Sequence, residues 1–146
     1  VRSMKRILFL CTRNACRSQM AEGWARSIIG TRFEVASAGS EPASVNPHAI
    51  EVMAEVGIDI SAHRSKSVED FRDVQIDHVY TLCGDAADRC PLWSGAATVQ
   101  HRGFDDPPEL ARLERTPEGV LQHYRRVRDE IGDWVKTLSK ELVSHG

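Results

Sequence analysis

Near the start of the chain an apolar run, "RILFL", breaks off at a cysteine. It passes through the polar stretch "CTRNACRS" at residues 11–18 and gives way to the amphipathic segment "QMAEGWARSII". No other stretch limits the fold as strongly. A compact apolar run over residues 5–10 is a buried strand ending at Cys11. The segment after the loop carries Met20, Ala21, Trp24, Ala25 and Ile28 at helical spacing, with Gly30 as its stop. The rest of the chain keeps the alternation. "RFEVASAG" reads as a short strand running into a turn at Gly39. Asn46-Pro47 starts a helix, the asparagine capping and the proline in the first turn. Its inner face is Ile50, Met53 and Ala54, and its stop is Gly57. "DHVYTLC" is a strand ending at Cys83 and "AATVQH" is another. A long amphipathic helix follows, with Val120, Tyr124, Val127, Ile131, Trp134, Leu138 and Leu142 along one side. Strands alternating with helices predict an α/β three-layer sandwich, a small parallel sheet flanked by helices.

At 146 residues the chain is expected to form a single domain over residues 1–146, large enough for a core without staples. The formal charge of −2 gives no electrostatic reason to expect nucleic acid or an anionic membrane as partner. The run "ILFLC" is too short for a signal-peptide core or a spanning helix, so a cytoplasmic location is expected. Thiols stay reduced there, and the four cysteines read as catalytic, redox or metal-binding groups rather than a static disulfide framework. Val1 to Ser3, ahead of Met4, carry no expected function. No internal repeat or low-complexity segment occurs. A monomer is expected.

In folds of this kind ligands bind beyond the carboxyl ends of the strands. Cys11, Cys83 and the stretch "HRGFDDPP" all fall at such ends, so three polar features converge on one rim. A loop wrapping from a strand into a helix start turns several backbone N–H groups toward one point, an anion cradle. Arg17 adds a planar, permanently charged fork suited to an oxyanion. A free thiol is only about 3% thiolate at neutral pH, and cationic surroundings of this kind lower thiol pKa values to roughly 3.5–7.5. Ser18 is placed to donate a hydrogen bond to the same sulfur. A cysteine six residues ahead of an arginine is weak by itself and occurs by chance in many proteins. The strand before it, the helix after it and Ser18 make the oxyanion loop the better reading.

The pattern Cys-x5-Arg-Ser near the N-terminus, with Asp106-Pro107 far downstream, resembles the low-molecular-weight protein tyrosine phosphatase fold family. The resemblance implies a phosphatase-like fold and an oxyanion-binding loop of Cys11, Thr12, Arg13, Asn14, Ala15, Cys16 and Arg17. It implies that Cys11 attacks a tetrahedral anion, Arg17 holds the oxygens and Asp106 protonates the leaving group. Asp105 does not precede proline and is the weaker acid. Phosphatases of the family carry a tyrosine just after Asp-Pro to hold an aromatic ester. Here Pro108 stands in that place, and Tyr80 and Tyr124 fall at core positions. Taken with "CTRNACRSQMAEG" and "GFDDP", the segment "TLCGDAADRCP" resembles the thioredoxin-coupled arsenate reductases built on the same fold. The resemblance runs from Lys5 to "RVRDEI" in the last helix. It implies that Cys83 attacks the Cys11 sulfur as arsenite leaves, and that Cys90 then resolves the bond to give Cys83–Cys90. Arsenate and thioredoxin are the partners so implied, with thioredoxin the electron donor, no tightly bound cofactor and a role in arsenic detoxification. A low-molecular-weight phosphatase and a non-enzymatic thiol sensor are the alternatives.

Other residues receive structural readings. Cys16 reads as a loop-packing residue, and residues 84–89 as a brief helix. His63 and His101 read as satisfied structural side chains, and no metal site is expected: two thiolates without nearby Cys/His pairs make a poor zinc set. "RRVRDE" reads as a solvated helix face. Trp24 and Trp134 occupy helix-packing positions, and Trp93 borders the segment that has to move. Arg13 departs from the glycine that many family members have, and is expected either to add positive potential at the rim or to recruit a different reductant. Some relatives bind potassium beside the loop. Asn14, Glu22 and Ser37 fit that site, whereas Arg64 and Lys66 do not, and a lysine ammonium is expected in the ion's place.

Overall fold

The first strand is apolar on both faces and divides the core in two. In the computed structural model, which describes residues 4–84, 91–95 and 97–145, β1 (Lys5–Cys11) lies between β2 (Phe33–Gly39) and β3 (His78–Thr81), and β4 (Thr98–His101) pairs with β3. Every pairing is parallel, with Cys11 opposite Gly39 at the end of β1. Side chains of a strand point alternately to the two faces. Ile7 and Phe9 therefore join Phe33, Val35 and Tyr80 on one face, while Leu8 and Leu10 join Ala38 and Val79 on the other. The first face is covered by α1 (Arg17–Ile29), α2 (Pro47–Glu55) and α4 (Pro117–His145). The second is covered by a thinner layer: a 3₁₀ helix (Val68–Phe71) with Phe71, Val74, Ile76, Trp93 and Ala97. A short α3 (Pro107–Ala111) precedes α4.

The cap and stop signals of α2 hold. Asn46 accepts hydrogen bonds from His48 N at 2.8 Å and Ala49 N at 3.4 Å. Gly57 takes a φ of +80°, a left-handed value that glycine adopts without steric cost. Helix faces are shifted from the expected stripes. α1 buries Ala21, Ala25 and Ile29 in register four apart and leaves Ile28 38% exposed. α2 buries Ala49, Val52 and Met53, with Ile50 half-buried and Ala54 exposed. β3 is shorter than expected, so Cys83 lies two residues beyond it. α3 escaped the pattern because five residues are too few to display a helical period.

The basic cluster on α4 corrects a sequence reading. Val127 is fully buried, and Arg128 is 8% exposed. Arg128 Nη1 donates to Val52 O at 2.9 Å and to Glu55 Oε1 at 2.8 Å, while Arg125 donates to Glu55 and to Glu118. Hydrogen bonds from Arg125 first, then Arg128, hold the Glu55 carboxyl below the usual range. Arg125 and Arg128 thus bind α4 to α2, while Arg126 and Asp129 are exposed as the solvated-face reading expects. Further along α4, the Trp134 ring meets Phe9, Tyr80 and Phe104 edge-on at 5.9, 5.5 and 5.7 Å. Edge-to-face geometry is the preferred one for aromatic pairs. Phe104 is thereby tied to the core just ahead of Asp105 and Asp106.

Candidate active site

The strand order makes the connections out of β1 and β3 diverge, which opens a cleft at their carboxyl ends. Residues 12–16 turn inside it. At the end of β2, a Cβ on Gly39 would come within 2.5 Å of Thr12 O and 2.8 Å of Asn14 N, so the loop lies flat there only because no side chain intervenes. The carbonyls of the loop are taken up from outside. Thr12 O accepts from Glu41 N at 2.8 Å, Arg13 O from Ala43 N at 3.0 Å and Ser65 Oγ at 2.7 Å, and Ala15 O from Asn46 N at 2.8 Å. A peptide unit is planar and trans, so its N–H points opposite to its carbonyl. With these carbonyls facing outward, the N–H groups of Arg13, Asn14 and Cys16 turn toward the concave side. That disposition is what an anion cradle requires.

Asn14 is the keystone of the loop. It is fully buried with a φ of +51°, a conformation asparagine tolerates better than most residues. Its Nδ2 donates to Ser18 Oγ and Ser37 Oγ, each at 2.8 Å. Its Oδ1 accepts from Lys66 N at 2.8 Å and Gln19 Nε2 at 3.0 Å. Ser18 Oγ, which accepts from Asn14, lies 2.9 Å from Cys11 Sγ.

Arg17, 3% exposed, donates from Nη1 to Phe104 O at 3.2 Å and holds Nε 3.7 Å from Asp106 Oδ1. Asp106 is the N-cap residue of α3, yet its side chain makes no cap bond, and its carboxylate faces Arg17 instead. Asp105 turns the other way, to Arg126 Nη2 at 3.0 Å. Cys16 is 4% exposed, and its thiol is pushed well up, by burial first and then by Asp106 and Cys11, against Arg17. Cys11 and Cys16 are free thiols. Cys83 is 5% exposed and disulfide-bonded, and its Sγ lies 3.9 Å from Thr12 Oγ1. Cys90 and residues 85–89, where a brief helix was expected, lie outside the described residues. Arg13 has an exposed side chain at the rim.

Behind the loop sits a charged cluster. Glu22, 2% exposed, accepts from Ser37 Oγ at 2.6 Å and pairs with Arg26 Nε at 2.9 Å and Lys66 Nζ at 3.5 Å. Lys66 Nζ also donates to Arg64 O at 2.9 Å. Burial draws the Lys66 ammonium below the usual lysine range, with Glu22 opposing. The Lys66 ammonium thus lies where an ammonium was expected, against the Glu22 carboxylate. His63 Nδ1 lies 3.0 Å from Gln19 Oε1. The Gln19 amide nitrogen is donating to Asn14 and to Arg64 O, so its oxygen accepts and His63 Nδ1 carries the proton. Burial lowers the His63 pKa from its ordinary value, with Glu22 opposing. His101 is likewise satisfied, its Nδ1 2.8 Å from Thr81 Oγ1. Gln19 is the residue that motif reading overlooks. Its only signal is a polar side chain in the first turn of α1 at a position the fold buries completely.

Residues 6–145 match the protein family described as low molecular weight phosphotyrosine protein phosphatase. The chain is 47% identical to an arsenate reductase of Bacillus licheniformis over 138 residues, covering 94% of this chain and 97% of the relative. It is 48% identical to an arsenate reductase of Bacillus subtilis over 136 residues, covering 93% and 96%. Among solved structures it is similar to an arsenate reductase in the oxidized state, with a TM-score of 0.77 and 34% identity over 94% of this chain and 98% of that one. A thioredoxin-dependent arsenate reductase of Corynebacterium glutamicum is also similar, with a TM-score of 0.74 and 29% identity over 100% of this chain and 66% of that one.

Proposed function

The chain belongs to the low molecular weight phosphotyrosine protein phosphatase family, among the arsenate reductases built on that fold, and we propose that it reduces arsenate to arsenite by a cysteine cascade closed by thioredoxin. The observation that carries this reading is the second sulfur at the lip of the loop. Cys83 Sγ lies 3.9 Å from Thr12 Oγ1, beside the residue that follows the nucleophile. A phosphatase needs one cysteine there; a reductase needs a second to receive the first.

The cradle and Arg17 bind the tetrahedral dianion and orient it over Cys11. The Cys11 sulfur attacks arsenic while Asp106 gives a proton to the departing oxygen, which leaves as water. Asp106 is held for that role by its place facing Arg17, 3.7 Å from Nε. Cys83 then attacks the Cys11 sulfur. The arsenic–sulfur bond breaks, its electron pair stays on arsenic, and As(V) becomes As(III) as two thiols become one disulfide. Cys90 attacks Cys83, freeing Cys11 and leaving Cys83–Cys90. The Cys83 disulfide alongside free Cys11 and Cys16 supports this as the end of the cycle. Thioredoxin restores the pair. The reading places the chain in the cytoplasm as a monomer serving arsenical resistance, with phosphate-ester hydrolysis as a weak side activity.

The test is a coupled NADPH assay with arsenate, run with the thioredoxin and glutaredoxin systems in parallel. Arsenate-dependent NADPH consumption with thioredoxin is expected. Turnover of p-nitrophenyl phosphate with no arsenate-dependent redox cycle would mark a phosphatase instead.

A further inference from the structure

Arg72, just past the 3₁₀ helix (Val68–Phe71), grips the stretch that follows Cys90 in the sequence. Its Nη1 donates to Leu92 O at 3.0 Å, and its guanidinium lies over the Trp93 ring, 5.6 Å from the centroid. The guanidinium is itself held by Glu69 Oε1, at 3.4 Å from Nε and 3.3 Å from Nη2. Trp93 packs on the apolar cluster formed by Leu8, Leu10 and Val79. A Cβ on Gly95 would come within 2.8 Å of the indole nitrogen, so the backbone closes over the ring edge there. The indole is thus fixed by the sheet, the guanidinium and the backbone. Pro91, on the other side of Leu92, is buried. Leu92 itself stands 86% exposed.

One exposed leucine on a protein surface is ordinary. This one is different because both neighbours are anchored and its carbonyl is held, so it has no freedom to tuck in. It also lies two residues from a cysteine that another molecule must approach. We infer that residues 91–93 form a docking ledge for the dithiol protein that reduces this chain, with Leu92 entering an apolar groove beside that protein's nucleophilic thiol. Arg72 and Trp93 are positioning residues that hold the ledge still while the cysteines exchange. The inference rests on the proposed cascade. In the step it serves, the partner's thiolate attacks one sulfur of Cys83–Cys90, forming a mixed disulfide and releasing the other cysteine as a thiolate. The partner's second thiol then displaces the remaining cysteine. Two electrons pass to this chain and the partner ends as a disulfide.

Leu92→Ala, Arg72→Gln and Arg72→Lys test the ledge in the full chain. Arsenate turnover is driven by thioredoxin with its reductase, or by dithiothreitol, and arsenite release in a single turnover is measured on pre-reduced protein. Leu92→Ala is expected to raise the KM for thioredoxin about tenfold, the scale of a central contact residue. Dithiothreitol-driven rates and single-turnover release should be unchanged. Arg72→Gln should act in the same direction, with partial rescue in Arg72→Lys. An unchanged thioredoxin KM in Leu92→Ala, or an equal loss with dithiothreitol, would overturn the ledge. So would a concentration-dependent dimer that Leu92→Ala dissolves, because the occupant would then be a second copy. Single-turnover release without any thioredoxin-driven cycling in the unmutated protein would overturn the reductant and the ledge together. No arsenite release at all would overturn the cascade itself.

Discussion

Two cysteines of one loop, Cys11 and Cys16, meet opposite surroundings. Cys11 lies 2.9 Å from the Ser18 hydroxyl, whereas burial, Asp106 and Cys11 together keep the Cys16 thiol protonated. The thiolate is the form that reacts with alkylating agents. Iodoacetate at pH 7 to 8 is therefore expected to label Cys11 ahead of Cys16, with sulfate protecting, as peptide mapping would show; equal labelling would contradict this. Cys16→Ser should keep most activity. Cys11→Ser should abolish arsenate reduction and phosphatase activity together, and near-normal rates of either would remove Cys11 from its role. Arg17→Lys should cost about 10²-fold or more in kcat/KM, because a point ammonium cannot replace a bidentate fork. At this scale the sequence was readable wherever a residue type carries chemistry by itself: a cysteine at a strand end, an arginine six residues on, an aspartate before proline. Gln19 was not, since an amide declares nothing until its partners are known.

Elements carry the next two predictions. Beside α1, the Lys66 ammonium faces Glu22 at 3.5 Å. Exchanging sodium for potassium, with sulfate held constant, is expected to leave activity and Tm nearly unchanged, and potassium should begin to matter in Lys66→Asp. A large potassium-specific stabilisation of the unmutated protein would sink the idea. The second concerns the path from Cys83 to Cys90. A helix separates residues seven apart by about 10 Å along its axis, while a disulfide needs α-carbons within roughly 4.4–6.8 Å. A helical path and the Cys83–Cys90 bond are therefore incompatible, so the brief helix expected from the sequence would have to open on oxidation. Hydrogen exchange should differ there between the reduced and oxidised protein, and identical protection would reject the switch. Cys90→Ser should complete at most one turnover and accumulate a Cys11–Cys83 bond. Element order was legible from apolar periodicity, but faces and ends were less so. Ile28 points outward because burial follows the register of Ala21, Ala25 and Ile29, and β3 stops at Thr81 where its ladders to β1 and β4 end.

The molecule as a whole buries two tyrosines, Tyr80 on β3 against Trp134 of α4 and Tyr124 of α4 against Asn46 and His48, and burial pushes both up to about 12. In the unfolded chain a tyrosine titrates near 10. The folded form thus keeps protons the unfolded form gives up, so stability is unaffected by these groups below pH 10 and falls as pH rises toward about 12. Urea midpoints from pH 8 to 12 should show that decline, shallower in Tyr80→Phe; a flat profile would contradict the assignment. What the sequence by itself determined is the alternation of strands and helices, the buried first strand, and a cysteine–arginine loop placed where that strand becomes a helix. These are local properties, set by side-chain type and by periods of two and 3.6 residues. Only the tertiary structure brought Asp106 to Arg17 across a gap of 89 residues, set Cys83 beside Thr12, faced Lys66 to Glu22 and buried Arg128 against α2. Those distances depend on strand order and on how helices seat against the sheet, and no window of neighbouring residues contains either.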